Sequence, residues 1–343
     1  MNGEYEVTIG IPVFNVENYI RMTMDSVLAQ TFASIEFLIC DDCGTDSSIS
    51  IVREYQQNHP RGKDIRILHQ PKNMGIGVAR NLMINEAKGR YFYSLDADDI
   101  IEENAIELLY NTAQKYHAEI VYGSYDRIFE KDGQWEKTVP YPYPFLFFSE
   151  PDLYADYVYH VGVQGMNWNY LIDIDIIRRN HLQVTPVGHG FGEDFTFTID
   201  LPTYITRAVL LPDITYHYYI RGVDKHLRKK VLSHHYMSLA IKAIDEKKRR
   251  KELLGKRYYS KRISKLMMLD CSFACVMQAR KDEFDIPFSK REIRDIMWHP
   301  MTFWEIVLAK SGRYHNMLYY LFGVVPPSLC TFLLKIMVKR YHL

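Results

Sequence analysis

The chain has 343 residues, 42 basic and 42 acidic side chains, 47% hydrophobic content and a mean hydropathy of −0.23. That composition predicts a globular protein with one large core or two, and it excludes intrinsic disorder and a small disulfide-stapled scaffold. The neutral balance hides an asymmetry: residues 1–224 carry 17 Lys and Arg against 32 Asp and Glu, and residues 225–343 carry 25 against 10. So sharp a change predicts a domain boundary near 224 and a partner of opposite sign.

The elements follow in chain order. Val7–Phe14 is a β-rich run. The helical spacing of Ile20, Met24, Val27 and Leu28 predicts a helix over Tyr19–Gln30. Ile35–Cys40 predicts a second strand, and Asp46 stands where it can cap a helix running to Asn58. Ile65–Leu68 and the helix Val78–Ala87 come next, then Tyr91–Leu95, a helix over Glu102–Tyr116, and Ile120–Tyr125. Strands alternating with helices in this way predict βαβ units and an α/β fold with a mostly parallel sheet. Lys131–Gln134 reads as a hairpin turn, Tyr141–Phe148 as a proline-broken aromatic loop, and Ala208–Leu211 and Thr215–Ile220 as two β runs. From about Ser233 the pattern is helical, with a capping box at Ser289–Glu292.

In parallel sheets of this kind, ligands bind beyond the carboxyl ends of the strands. Polar residues collect at those ends: Asn15 and Glu17, Asp41 and Asp42, Asn73, then Asp96, Asp98 and Asp99. Asp96 and Asp98, at i and i+2, point to one side of an extended segment. Two carboxylates about 6 Å apart repel by roughly 3 kcal/mol at an effective dielectric near 20. A Mg²⁺ or Mn²⁺ ion shared with phosphate oxygens would reverse that cost; the alternative is that these aspartates cap the helix that follows. Gly75-Ile76-Gly77 begins like a dinucleotide fingerprint, but Arg80 stands at its sixth place and it follows the third strand instead of the first. A glycine-rich helix start presenting N–H groups to phosphate fits better.

Taken together, these stretches resemble the family 2 glycosyltransferases, inverting enzymes of the GT-A fold. The matching pieces are Ile11–Asn15 with Glu17, Ser26–Phe32, Asp41–Ser47, Asn73–Gly75 through Ala79–Asn81, and Asp96–Asp99. The resemblance implies a Rossmann-like domain over 1–224, with 225–343 as a helical, basic extension. It also implies that Pro12, Phe14 and Glu17 line a base pocket in which Asp42 bonds the base. Asn73 and Arg80 would lie along the nucleotide, Asp96 would meet ribose or metal, and Asp98 would coordinate the metal on the diphosphate. Cys43-Gly44 replaces the family's usual Gly-Ser step in the second cluster. Glu193-Asp194 looks like the segment that supplies the catalytic base, Asp194; the plain alternative is an acidic pair at a helix start. Met166–Leu171 resembles an acceptor-side segment, with Tyr170 near the place where a lysine is usual. His217, further along, could complete the metal site as a histidine does in some GT-A enzymes, the plain alternative being a packed or hydrogen-bonded core histidine; Arg221 could instead meet the diphosphate from the same region.

The implied reaction is transfer from a nucleotide-diphosphate sugar, expected to be UDP-linked, to a hydroxyl of a saccharide or lipid-linked saccharide in cell-surface polysaccharide synthesis. The rival class is a non-catalytic GT-A-like scaffold. The basic tract Lys247–Lys251, with Lys256, Arg257, Lys261, Arg262 and Lys265 interleaved with apolar residues, suggests contact with an anionic membrane. A solvated basic face is the alternative. The apolar run Met317–Val338 is split by Pro326-Pro327, so neither half reaches the roughly 20 residues of a span. Nucleic acid is not expected, since no motif for it is present. Met1–Glu6 does not resemble a secretory signal, and the odd number of cysteines, five, with one lone CxxC at Cys40 and Cys43, suits a reducing cytoplasm.

Overall fold

The computed structural model describes residues 4–131, 134–137, 140–160, 167–184, 194, 197–198, 201–220, 290–297, 302–307 and 313–341. The chain divides into two compact units. The first comprises Met1–Tyr154, Gln164–Pro186 and Tyr204–Val223; the second comprises Ala155–Val163, Val187–Thr203 and Asp224–Leu343.

The first unit is built on one sheet. Its early strands are β1 (Tyr5–Val13), β2 (Ile35–Asp41), β3 (Ile65–His69) and β4 (Gly89–Ser94), in the order β3-β2-β1-β4 and all parallel. Every residue of β1 from Val7 onward is buried, as expected of a strand covered on both faces. Helices α1 (Ile20–Leu28), α2 (Ser48–Asn58), α3 (Ile76–Glu86) and α4 (Ala105–Tyr116) connect these strands and those that follow. Each buries an apolar stripe; in α1 it is Ile20, Met24, Val27 and Leu28. Asp46 accepts the Ser48 amide at 3.0 Å, so it does serve the first turn of α2.

Beyond β4 the sheet becomes mixed. A two-residue strand β5 (Ile100–Ile101) precedes α4, followed by β6 (Ile120–Lys131), β7 (Gln134–Lys137), β8 (Leu146–Phe148), β9 (Tyr170–Asp173) and β10 (Ala208–Ile220). The order continues β4-β9-β6-β10-β5, with β7 on β6 and β8 on β10. Strand β9 runs antiparallel to both β4 and β6, and β10 runs parallel to β6. The result is an α/β sheet, mostly parallel, flanked by helices.

Three expectations change. The helix expected from Glu102 starts at Ala105, because Ile100 and Ile101 pair with His217 and Tyr216 of β10. The aromatic loop contributes a strand, with Phe148 opposite Ala208. The two late β runs form one strand, with register shifts between Leu210 and Tyr216. Pro212 falls within that irregularity and cannot donate to a ladder, which favours a bulge there. The expected hairpin is present as the antiparallel pair Lys131↔Gln134. Its two turn residues lie outside the described residues, as do Ser289 and the basic tract 247–265.

In the second unit the described helices include Lys290–Met297, Phe303–Val307, Arg313–Val324 and Pro327–Tyr341. Ile293, Met297, Phe322, Cys330 and Leu334 form a small core. Arg294 donates to the Val325 carbonyl and so holds the break between the last two helices. Among the described residues, no helix is long and apolar enough to cross a membrane.

Candidate active site

A cleft of about 320 Å³ lies in the first unit, at the carboxyl ends of the parallel strands. It is lined by Pro12, Val13, Phe14 and Val16 after β1, Asp42 after β2, Asn73, Gly75, Ile76 and Ala79 around the start of α3, and Asp96, Ala97 and Asp98 after β4. Six residues singled out in the sequence therefore meet there: Pro12, Phe14, Asp42, Asn73, Asp96 and Asp98.

Asp42 is buried and acts as the hub of the cleft floor. Its Oδ1 accepts from Gln70 Nε2 at 2.9 Å and from the Met74 amide at 2.7 Å, and its Oδ2 accepts from the Gly75 amide at 2.9 Å. One carboxylate thus draws the loop after β3 against the end of β2. About four lone-pair sites exist on a carboxylate, so capacity for a ligand donor remains. Gly75 has φ +89° and ψ 157°, a conformation essentially reserved for glycine. It turns the chain so that the first turn of α3 faces the cleft, where backbone N–H groups favour an anion.

Arg80 and Glu17 act from behind. Arg80, 2% exposed, donates through Nη2 to Asp96 Oδ1 at 2.8 Å, and the Asp96 side chain is 22% exposed. Glu17 does not line the cleft. Its carboxylate accepts the Ser47 amide at 2.9 Å while its own amide donates to Asp46 at 2.9 Å, which ties the loop after β1 to the loop after β2. Asn15, at φ 53°, adds a third tie by accepting the Thr45 amide at 2.8 Å.

Asp99 turns away from its neighbours into the core. It is fully buried, and it accepts from the Tyr216 hydroxyl at 2.7 Å and the Tyr219 amide at 2.8 Å. Burial foremost, then the nearby Asp98 and Asp96 charges, raises its carboxyl well above the ordinary range. It does not cap α4; the β5–β10 pairing pulls it inward. Sequence reasoning missed two neighbours. Gln70 could have been found from its place directly after β3. Tyr218 lies on β10 two residues past Tyr216, and its hydroxyl is pushed up to about 12 by burial first and then by Asp99, Asp96 and Asp98.

His217 has both ring nitrogens engaged: Nδ1 lies 2.7 Å from Asp126 Oδ1, and Nε2 lies 2.9 Å from Glu102 Oε1. In this arrangement it links β10 to β6 and to the segment before α4 and has no nitrogen left for a metal. Arg221 lies outside the described residues. Tyr170 is buried and packs on Tyr122, with ring centroids 5.2 Å apart. Asp194 has helical backbone and is half-buried in the second unit, and its immediate neighbours are outside the described residues. Among the described residues, no group of three or more His, Cys, Asp or Glu side chains converges as a metal site. The cleft's lining holds three carboxylates: Asp42, engaged by the loop after β3, and Asp96 and Asp98 after β4. The latter pair suits a magnesium-like ion, which typically takes one or two carboxylates and completes its shell with substrate phosphates and water.

The cleft lies where ligands bind in α/β domains, beyond the carboxyl ends of the parallel strands. Residues 8–170 match the family described as Glycosyl transferase family 2. Among curated relatives, it is 37% identical over 131 residues to glycosyltransferase GlyA of Streptococcus pneumoniae, covering 38% of this chain and 18% of that one. It is 28% identical over 229 residues to the putative glycosyltransferase EpsH of Bacillus subtilis, covering 66% and 64%. These matches span less than two thirds of each relative's length. Among solved structures, TarS 1–349 of S. aureus in complex with UDP superposes with a TM-score of 0.67 at 14% identity, covering 98% of this chain and 92% of that one. That likeness shows a shared GT-A fold.

Proposed function

We propose that this protein transfers a sugar from a nucleotide-diphosphate sugar, UDP-linked, to a hydroxyl of a saccharide or lipid-linked saccharide, with inversion at the anomeric carbon. One observation carries the reading: residues from three parallel strand ends and the start of α3 line a single cleft that combines an apolar pocket with three carboxylates, Asp42, Asp96 and Asp98. Pro12, Val13 and Phe14 offer a flat apolar surface to a base, and Asp42 beside them offers an acceptor for a base N–H. The start of α3 favours a diphosphate. The family resemblance and the UDP-bound structural neighbour support the donor class.

In this reading residues 1–224 form the catalytic domain. Asp98, with Asp96 steadied by Arg80, would hold Mg²⁺ or Mn²⁺. Such an ion, when bound, neutralises charge on the diphosphate leaving group. Asp194 takes the proton from the attacking acceptor hydroxyl, a task that inversion in one displacement assigns to a single carboxylate.

The test is a pair of variants assayed against a panel of nucleotide sugars with Mn²⁺. Asp98→Ala is expected to abolish donor hydrolysis and transfer, and full activity would remove its role. Asp194→Asn is expected to keep donor binding by calorimetry and lose transfer, so unchanged turnover would remove Asp194 as the base. Donor binding without turnover by the wild type across the panel would instead favour the scaffold reading.

A further inference from the structure

We infer that the last helix, Pro327–Tyr341, docks edge-on against an anionic lipid surface. This helix is apolar on two sides. Cys330 and Leu334, one turn apart, are buried with Phe322, Ile293 and Met297. The other side carries Leu329, Phe332 and Ile336, spaced by three and four and therefore in one stripe. Phe332 is 59% exposed, and Leu329 and Ile336 are exposed as well. Lys335 and Lys339 are exposed beside that stripe.

The preceding helix, Arg313–Val324, also exposes apolar side chains, Leu318, Leu321 and Val324. Trp304, 68% exposed on helix Phe303–Val307, is an aromatic of the kind that settles at a lipid–water boundary. A helix that packs one apolar side and leaves a second in water has an occupant to find.

Charge selects the occupant. From residue 306 to residue 343 the sequence contains Lys310, Arg313, Lys335, Lys339 and Arg340 and no Asp or Glu. A second copy would bring the same basic face against this one and be repelled. An anionic bilayer would attract it. The two helices have 12 and 15 residues, short of the roughly 20 needed to span, so they would lie in the interface plane with the apolar stripe down and the lysines among the headgroups. The inference does not rest on the transferase reading.

The experiment is co-sedimentation of the full chain with phosphatidylcholine vesicles, with and without phosphatidylglycerol. Binding is expected to require the anionic lipid and to weaken with salt. Replacing Lys335 and Lys339 by Glu is expected to weaken partitioning by at least about fivefold per lysine. Leu329→Ser, Phe332→Ser and Ile336→Ser together are expected to weaken it by well over about tenfold, with an unchanged melting temperature because the three side chains are exposed. Three results would each overturn the inference. One is wild type that stays in the supernatant. Another is a triple-serine variant that binds like wild type. The third is a wild-type dimer by light scattering that the serine variant dissociates, which would make a second copy the occupant.

Discussion

Replacing Asp99 by Asn removes a proton-binding group from the core while keeping its shape. The carboxyl is fully buried and receives the Tyr216 hydroxyl and the Tyr219 amide. Burial, reinforced by Asp98 and Asp96, raises it well above the ordinary carboxylate range. The folded chain therefore keeps a proton that the unfolded chain releases above about pH 4. That stabilising contribution is fully present below the unfolded value and is lost as pH rises through the folded one. Between the two values, a difference of one bound proton gives a slope of about 1.4 kcal/mol per pH unit. Asn cannot titrate, and its amide group loses one of the two accepted bonds, at a pH-independent cost of about 1 kcal/mol. The assay is urea unfolding of both proteins across the acidic range, followed by fluorescence of Trp168, which stacks on Tyr216 at 4.3 Å. The unfolding free energy of the wild type minus that of Asp99→Asn should fall with rising pH along that slope. A flat difference, or one that rises, would mean that Asp99 is ionised throughout and would refute the argument.

Two further predictions separate the scaffold of the cleft from its chemistry. Gly75→Ala adds a methyl group into open space, so its cost is purely the backbone strain of φ +89°, about 1–3 kcal/mol. It should lower the melting temperature and weaken UDP binding together, because the Gly75 amide is one of the bonds that hold the loop to Asp42. Glu36 is buried and accepts from Thr8 Oγ1 at 2.7 Å, the Lys88 amide at 2.8 Å and Arg66 Nε at 2.8 Å. Glu36→Gln should cost about 2–3 kcal/mol, below the figure for a fully buried pair because Arg66 is partly exposed, and should leave UDP affinity by calorimetry unchanged.

The parallel half of the fold was legible because its strands are short runs rich in apolar residues and its helices amphipathic, so β1 to β4 and α1 to α3 fall within about two residues of the reading at most ends. The mixed half was less so. Two-residue β5 carries no periodicity, and Leu146–Phe148 forms a strand because β10 offers it an edge. Long-range pairing decided both, and local pattern does not encode it. At the site, the strand-end rule located the cleft residues. It did not tell which polar side chains point into the cleft and which tie the loops together, as Glu17 does.

That division explains why so many carboxylates stand at the strand ends. Asp42 gathers two backbone amides and one side-chain amide, Asp99 secures β10, and Asp96 receives the guanidinium of Arg80. Each of these bonds joins elements that the sheet alone leaves independent: β2 to the loop after β3, β4 to β10, and α3 to β4. The bonds to Asp42 and Asp96 are charge-assisted and sit in partly desolvated surroundings, where they are stronger and more directional than the same contacts in water. A ligand entering the cleft thus meets loops already fixed by carboxylates and spends little binding energy on ordering them. Asp98 is half-buried and lines the cleft beside this set. Arg80 already supplies one cation to Asp96 from beneath. In the proposed function, a divalent ion at Asp98 would supply a second from the ligand side, and the cluster that repels itself in isolation would then be balanced once from each direction.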